Sequence, residues 1–215
     1  MNPVLIYCYD AYCGWCYGFS PVIKKIADVY RKKFAFEVLS GGMIISENPK
    51  PISVTAEYIR KAYKTVEERT GIAFGQDYLW HIFNPDESDW HPDSLKPAVA
   101  LCIFKEFFSD QQITFAADLQ YALHFEGRDL TDNEAYRHLL DKYLIPADDF
   151  YEKLNGEEYK EKARLEFALV KQLKVSGFPT VLIQTDESKF YLAARGYTDY
   201  ATVDTAIKEI LEEIY

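Results

Sequence analysis

The chain has 215 residues, with 34 Asp and Glu against 24 Lys and Arg, a formal net charge of −10. That balance argues against nucleic acid or an anionic membrane surface as the main partner, because both are held through Lys and Arg patches. Hydrophobic residues make up 48%, including 17 Tyr and 14 Phe, so a substantial core is available and the four cysteines need not form a structural disulfide framework.

The opening MNPVLIYCYDAYC holds neither a basic stretch nor a long apolar run, and no later run approaches the roughly 18 apolar residues of a membrane span. A cytoplasmic location is expected. Val4 to Tyr9, apolar and aromatic, reads as a buried strand. Cys13-Gly14-Trp15-Cys16 follows. Then Val22, Ile23, Ile26, Ala27, Val29 and Tyr30 recur close to helical spacing. This helix is predicted to start at or near Cys13, with Pro21 kinking its first half. Phe34 to Leu39 reads as a second strand ended by Gly41-Gly42, and a right-handed crossover would make the two strands parallel.

From Ile45 to Gly156 the pattern is helical. One helix stops at Gly71, one opens near Ser94 with Pro97 in its first turn, and one ends at Gly127. Thr131 and Glu134 have the spacing of a capping box ahead of a further helix, and ADDFYEKLN adds another. After Gly156 come a helix, a strand from Thr180 to Gln184, a second strand in KFYLAARG, and an amphipathic helix to Tyr215. The predicted organisation is a discontinuous α/β domain, residues 1–44 and 157–215, interrupted by a helical insertion, residues 45–156. The element order is βαβ, helical insert, αββα.

The pair Cys13 and Cys16 has the spacing of a redox couple and equally of half a zinc site. A zinc site needs two more ligands, and the sequence offers no second CxxC and no HxxxH; no metal is expected. A cysteine at a helix N-terminus meets unsatisfied N–H groups and the positive end of the helix dipole, which stabilise a thiolate. Cys13 is therefore the expected nucleophile. Cys16, one turn deeper, is placed to resolve a mixed disulfide. Cys8 and Cys102 read as buried small hydrophobes. Asp10 either caps the helix or perturbs the Cys13 thiolate. The four histidines read as surface or helix residues without a catalytic role.

Three stretches, YCYDAYCGWC, HFEGRDLTDNEAY and VSGFPTVLI, occur in an order and separation that resemble the thioredoxin fold of DsbA-like proteins, FrnE-type relatives and predicted protein-disulfide isomerases in particular. The resemblance covers the whole chain. It implies a thiol–disulfide oxidoreductase acting on protein or peptide disulfides, with Pro179 a cis-proline facing the cysteines. Trp15, Phe178 and Tyr12, together with Tyr17, would line the substrate groove. No bound cofactor is implied beyond the Cys13–Cys16 couple, with glutathione or another thiol as electron donor. In place of the histidine of DsbA-like CPHC motifs, Trp15 brings no formal charge, so a less oxidising couple is expected. There are departures. The buried acidic residue of thioredoxin and DsbA, six positions before the first cysteine, is here Tyr7. No cysteine follows Cys102, unlike FrnE-type proteins with a second pair near the C-terminus. Two alternatives stay open. One is a glutathione-dependent transferase or isomerase of the kappa-class type, whose members have serine where this chain has Cys13. The other is a non-enzymatic peptide-binding module.

Overall fold

β1 (Val4–Tyr9) is the strand that the opening apolar run predicts, and it lies inside a four-stranded sheet of order β2-β1-β3-β4. A computed structural model describes residues 3–214 of the chain. Met1 and Asn2 of the first predicted block, and Tyr215 of the last predicted helix, lie outside the described residues. β2 (Ala35–Ser40) runs parallel to β1, from Val4 opposite Ala35 to Tyr9 opposite Ser40. β3 (Thr180–Gln184) and β4 (Phe190–Arg195) continue the sheet antiparallel on the other side. This is the mixed sheet of the thioredoxin fold. Strand alternation sends Leu5, Tyr7 and Tyr9 into the large core, and Ile6 and Cys8 into a smaller one with Leu39, Val170 and Leu182.

Helix α1 (Gly14–Tyr30) connects β1 to β2, and Cys13 is its N-cap, as the sequence predicts. Pro21 lies inside this helix and cannot donate to the Tyr17 carbonyl one turn back. The Ser20 hydroxyl donates to that carbonyl instead, at 2.8 Å.

Between β2 and α8 (Glu157–Gln172) the chain forms α2 (Ser53–Thr70), α3 (Gln76–Phe83), α4 (Leu95–Phe107), α5 (Gln112–His124), a 3-10 turn (Asn133–Tyr136), α6 (Arg137–Tyr143) and α7 (Ala147–Asn155). α9 (Tyr200–Ile214) closes the fold. Gly71 ends α2 in the left-handed conformation, φ 74°, where a glycine is favoured. The Thr131–Glu134 capping box does not form. Asp132 caps the 3-10 turn by accepting from the Glu134 N–H, while Thr131 donates to Asp129 at 2.8 Å. An aspartate immediately before the turn competes better for that N–H than the more distant threonine.

The edge of β2 is closed by side chains. Gln112 accepts from the Val38 N–H and donates to the Phe36 carbonyl, both at 2.7 Å, so one amide side chain stands in for a neighbouring peptide group. Lys105 donates to the Val38 carbonyl, and Glu166 accepts from the Ser40 N–H at 2.9 Å. Lys105 in turn pairs with Glu37 at 2.6 Å and Glu166 at 2.7 Å. Among the described residues, no helix is long and apolar enough to cross a membrane.

Candidate active site

The turn from β1 into α1 sets the cysteines. The Cys13 N–H donates to the Asp10 carbonyl at 3.1 Å and closes the turn, and the Tyr17 N–H donates to the Cys13 carbonyl at 3.0 Å to begin the helix. The Cys13 sulfur then takes the position of a capping side chain, accepting from the Cys16 N–H at 3.3 Å. On its other side it donates to the Phe178 carbonyl at 3.6 Å. The Phe178–Pro179 bond is cis. The Cys13–Cys16 pair and the Phe178–Pro179 pair, more than 160 positions apart in the chain, thus converge at one end of the sheet.

The two thiols differ in access. Cys13 is 6% exposed and borders an open groove, while Cys16 is fully buried. Burial pushes the Cys16 thiol well up, Cys13 adds to the rise, and the Asp10 carboxylate contributes in the same direction against the pull of the Asp10 backbone N–H. All four cysteines are free thiols. Cys8, pushed up to about 12 by burial and then by Glu166, belongs to the smaller core. Cys102 packs in the large core and donates to Glu166 at 3.4 Å, a polar contact that its place in an apolar run did not suggest.

The groove beside Cys13 has a volume of about 750 Å³. Cys13, Gly14, Trp15, Tyr12 and Phe178 line it, together with Ile59, Tyr63 and Val66 of α2 and with Trp90. Lys171 and Ser176 line it as well. Tyr12, Trp15 and Phe178 therefore border the groove together. Tyr17 does not. It points to the other side of α1, where its hydroxyl donates to the Ala73 carbonyl at 3.0 Å, because one helical step from Cys16 rotates it away from the cap.

Asp10 neither caps α1 nor contacts the Cys13 sulfur. Its carboxylate is buried and accepts from the Tyr12 N–H at 3.0 Å, the Met43 N–H at 2.7 Å and the Ser94 hydroxyl at 2.9 Å. It ties the cysteine turn to the loop after β2 and to the start of α4. Burial raises its ionisation above the usual carboxylate range, against these hydrogen bonds.

α5 supports the turn from behind, where Gln120 donates to the Asp10 carbonyl at 3.2 Å and to the Cys13 carbonyl at 3.5 Å. His124, one turn on, is not a surface histidine. It is fully buried, with ring centroids 5.0 Å from Tyr17, 5.5 Å from Phe74 and 5.0 Å from Tyr78. Gln120 and His124 are the site-supporting residues that sequence reasoning missed, while Asp10, which it named, acts through its three donors instead of as a cap. Gln120 and His124 share α5 with Gln112, Thr114 and Asp118, so their spacing of one turn was no distinct signal. Among the described residues, no three His, Cys, Asp or Glu side chains gather as metal ligands.

A βαβ unit with its cysteine pair at the strand-to-helix junction, facing a cis-proline loop and interrupted by helices, defines a DsbA-like thioredoxin-fold protein. The chain matches the DSBA-like thioredoxin domain over residues 4–208, and it belongs to that family. Its structure is similar to that of a putative protein disulfide isomerase from Nitrosomonas europaea, with TM-score 0.83, 22% identity and 99% of each chain covered. It is also similar to the cytosolic disulfide reductase DsbM from Pseudomonas aeruginosa, with TM-score 0.74, 21% identity and 98% of each chain covered. DsbM solved with GSH gives TM-score 0.72 at 23% identity, again over 98% of each chain. No curated protein sequence matches the chain.

Proposed function

We propose that this protein is a thiol–disulfide oxidoreductase that reduces or reshuffles disulfides of proteins or peptides in a reducing compartment, the cytoplasm. The observation that carries the reading is Cys13 itself. Its sulfur is at the N-cap of α1, held between the Cys16 N–H and the Phe178 carbonyl, at the floor of an open apolar groove. Cys13 attacks a substrate disulfide, forming a mixed disulfide and releasing one substrate thiol. Cys16 then attacks Cys13, forming the intramolecular disulfide and releasing the second thiol. Two electrons pass from the protein dithiol to the substrate. Phe178 and Pro179 shape the groove beside the attacking sulfur, and Trp15 and Tyr12 contact the substrate on either side of it.

Glutathione is the electron donor that we favour. The groove accommodates a small peptide thiol, and the exposed Lys171 on its otherwise largely apolar rim suits a peptide carboxylate. The DsbM structure with GSH supports the same choice. The test is a redox titration in glutathione buffers, with each cysteine mapped by alkylation and mass. A single Cys13–Cys16 couple near about −270 mV identifies a reductase, and one near about −180 mV an isomerase. If Cys13 and Cys16 never pair, the reading fails. Cys16→Ser separates this activity from a transferase of the kappa-class type. It abolishes catalytic disulfide reduction in the first case and spares turnover in the second.

A further inference from the structure

Gln120 is fully buried in α5, where its neighbours Leu119, Ala122 and Leu123 are apolar core. Its amide nitrogen donates to the Asp10 carbonyl at 3.2 Å and, over a longer contact, to the Cys13 carbonyl at 3.5 Å. The first carbonyl already accepts from the Cys13 N–H at 3.1 Å, and the second from the Tyr17 N–H at 3.0 Å. One side-chain amide, with its two hydrogens, thus holds both peptide oxygens of the turn that carries the nucleophile. The Gln120 oxygen has no hydrogen-bond partner among the described residues. An unpaired buried acceptor is destabilising, so a side chain kept there at that cost asks for a role beyond packing.

We propose that Gln120 is a positioning residue for Cys13: it holds the capped geometry of the reduced site and so sets both the reactivity of the Cys13 sulfur and the thiol–disulfide equilibrium. This rests on the reading of Cys13 and Cys16 as a redox couple. In the disulfide, the covalent bond itself ties Cys13 to the first turn of α1. In the dithiol that tie is gone, and the Cys13 sulfur meets the Cys16 N–H at 3.3 Å only while the turn keeps its shape. That cap bond is strongest when the sulfur carries negative charge. The bonds from Gln120 therefore matter more to the reduced form than to the oxidised one. In exchange with glutathione disulfide, the Cys13–Cys16 bond forms and the glutathione S–S bond breaks. The two protein thiols give up two electrons and two protons, which leave as two glutathione thiols. Removing the Gln120 donors moves this balance toward the protein disulfide. A side chain that only held the fold would act on both forms alike and leave the equilibrium where it is.

The experiment compares Gln120→Met and Gln120→Leu, which remove the donors and keep an apolar side chain of similar volume, with Leu119→Ala. The last removes core packing from the same helix and no donor. Reduced protein is treated with iodoacetamide, Cys13 modification is followed by mass, and each protein is then equilibrated in glutathione buffers. In both Gln120 variants, alkylation of Cys13 is expected to slow about tenfold, the scale of losing a hydrogen bond to a charged group. The equilibrium constant for forming the disulfide rises about tenfold, which makes the couple more reducing by about 30 mV. Leu119→Ala loses stability and keeps both values within about twofold of the wild type. Unchanged alkylation and equilibrium in the Gln120 variants overturn the assignment, as does the same shift in Leu119→Ala. If neither Gln120 variant folds, the residue serves the fold and the assignment fails. A wild-type protein in which Cys13 and Cys16 never pair refutes the couple itself, which is a different failure.

Discussion

Gly41 and Phe178 face each other so closely that a Cβ on Gly41 would lie 1.9 Å from the tip of the Phe178 ring. The end of β2 and the loop before β3 are therefore shaped to one another beside Cys13. In Gly41→Ala the ring must rotate away, at a side-chain cost of about 1 kcal/mol. The surface beside the nucleophile moves with it. Stability is expected to fall by no more than about 1 kcal/mol, while kcat/KM on a peptide disulfide falls about tenfold. Parallel denaturation and steady-state assays check the contrast. Equal losses in both would place Gly41 in folding alone.

Asp10 holds three donors from three separate segments. Asp10→Ala leaves the Tyr12 and Met43 N–H groups without their acceptor, a loss of about 3 kcal/mol. Asp10→Asn retains one acceptor oxygen and is expected to lose less. Urea titrations of the two variants provide the ranking.

His124 makes stability fall in acid. Burial pushes its ionisation down to about 3 from 6.5, so the unfolded chain binds a proton that the folded one refuses. Its contribution is present above pH 6.5 and is lost as pH falls toward 3. At about pH 4.5 the loss from this residue is about 2–3 kcal/mol. Asp10, raised by burial, has the opposite sign: protonation as pH falls relieves its buried charge. Comparing His124→Phe with the wild type at pH 7 and 4.5 isolates the histidine. The wild type is expected to lose more stability across that interval than the variant.

Trp15 lies between the cysteines, half-buried, with its ring 6.2 Å from that of Tyr197. A protonated histidine there would add charge beside the Cys13 sulfur and favour the reduced form. Trp15→His is therefore expected to be more oxidising by on the order of 30 mV, equivalent to about 1.4 kcal/mol. Glutathione titration of the two proteins measures it. A downward shift would remove Trp15 from the tuning role.

The parts of this structure built from local periodicity were legible in the sequence. β1 and β3 begin and end where their apolar runs do, and α1 starts at the cysteine that caps it. α3 was not read, since its eight residues are too few to establish a helical period. α4 and α5 are buried over nearly every residue of their middle turns, so no polar stripe distinguishes an inward from an outward face. That is why His124 and Gln120 gave no sign of pointing toward the cysteine turn. Asp10 was visible, but its partners Met43 and Ser94 are 33 and 84 residues away. Tertiary contacts of that separation leave no local pattern.

The side chains along β2 also decide how copies of this protein can meet. A sheet that polymerises by strand addition needs two open flanks, one to receive and one to offer. Here Gln112, Lys105 and Glu166 occupy the hydrogen-bonding positions of one flank, leaving β4 as the other. Strand addition at the β2 flank is closed off by three side chains that each bond a backbone group of that strand.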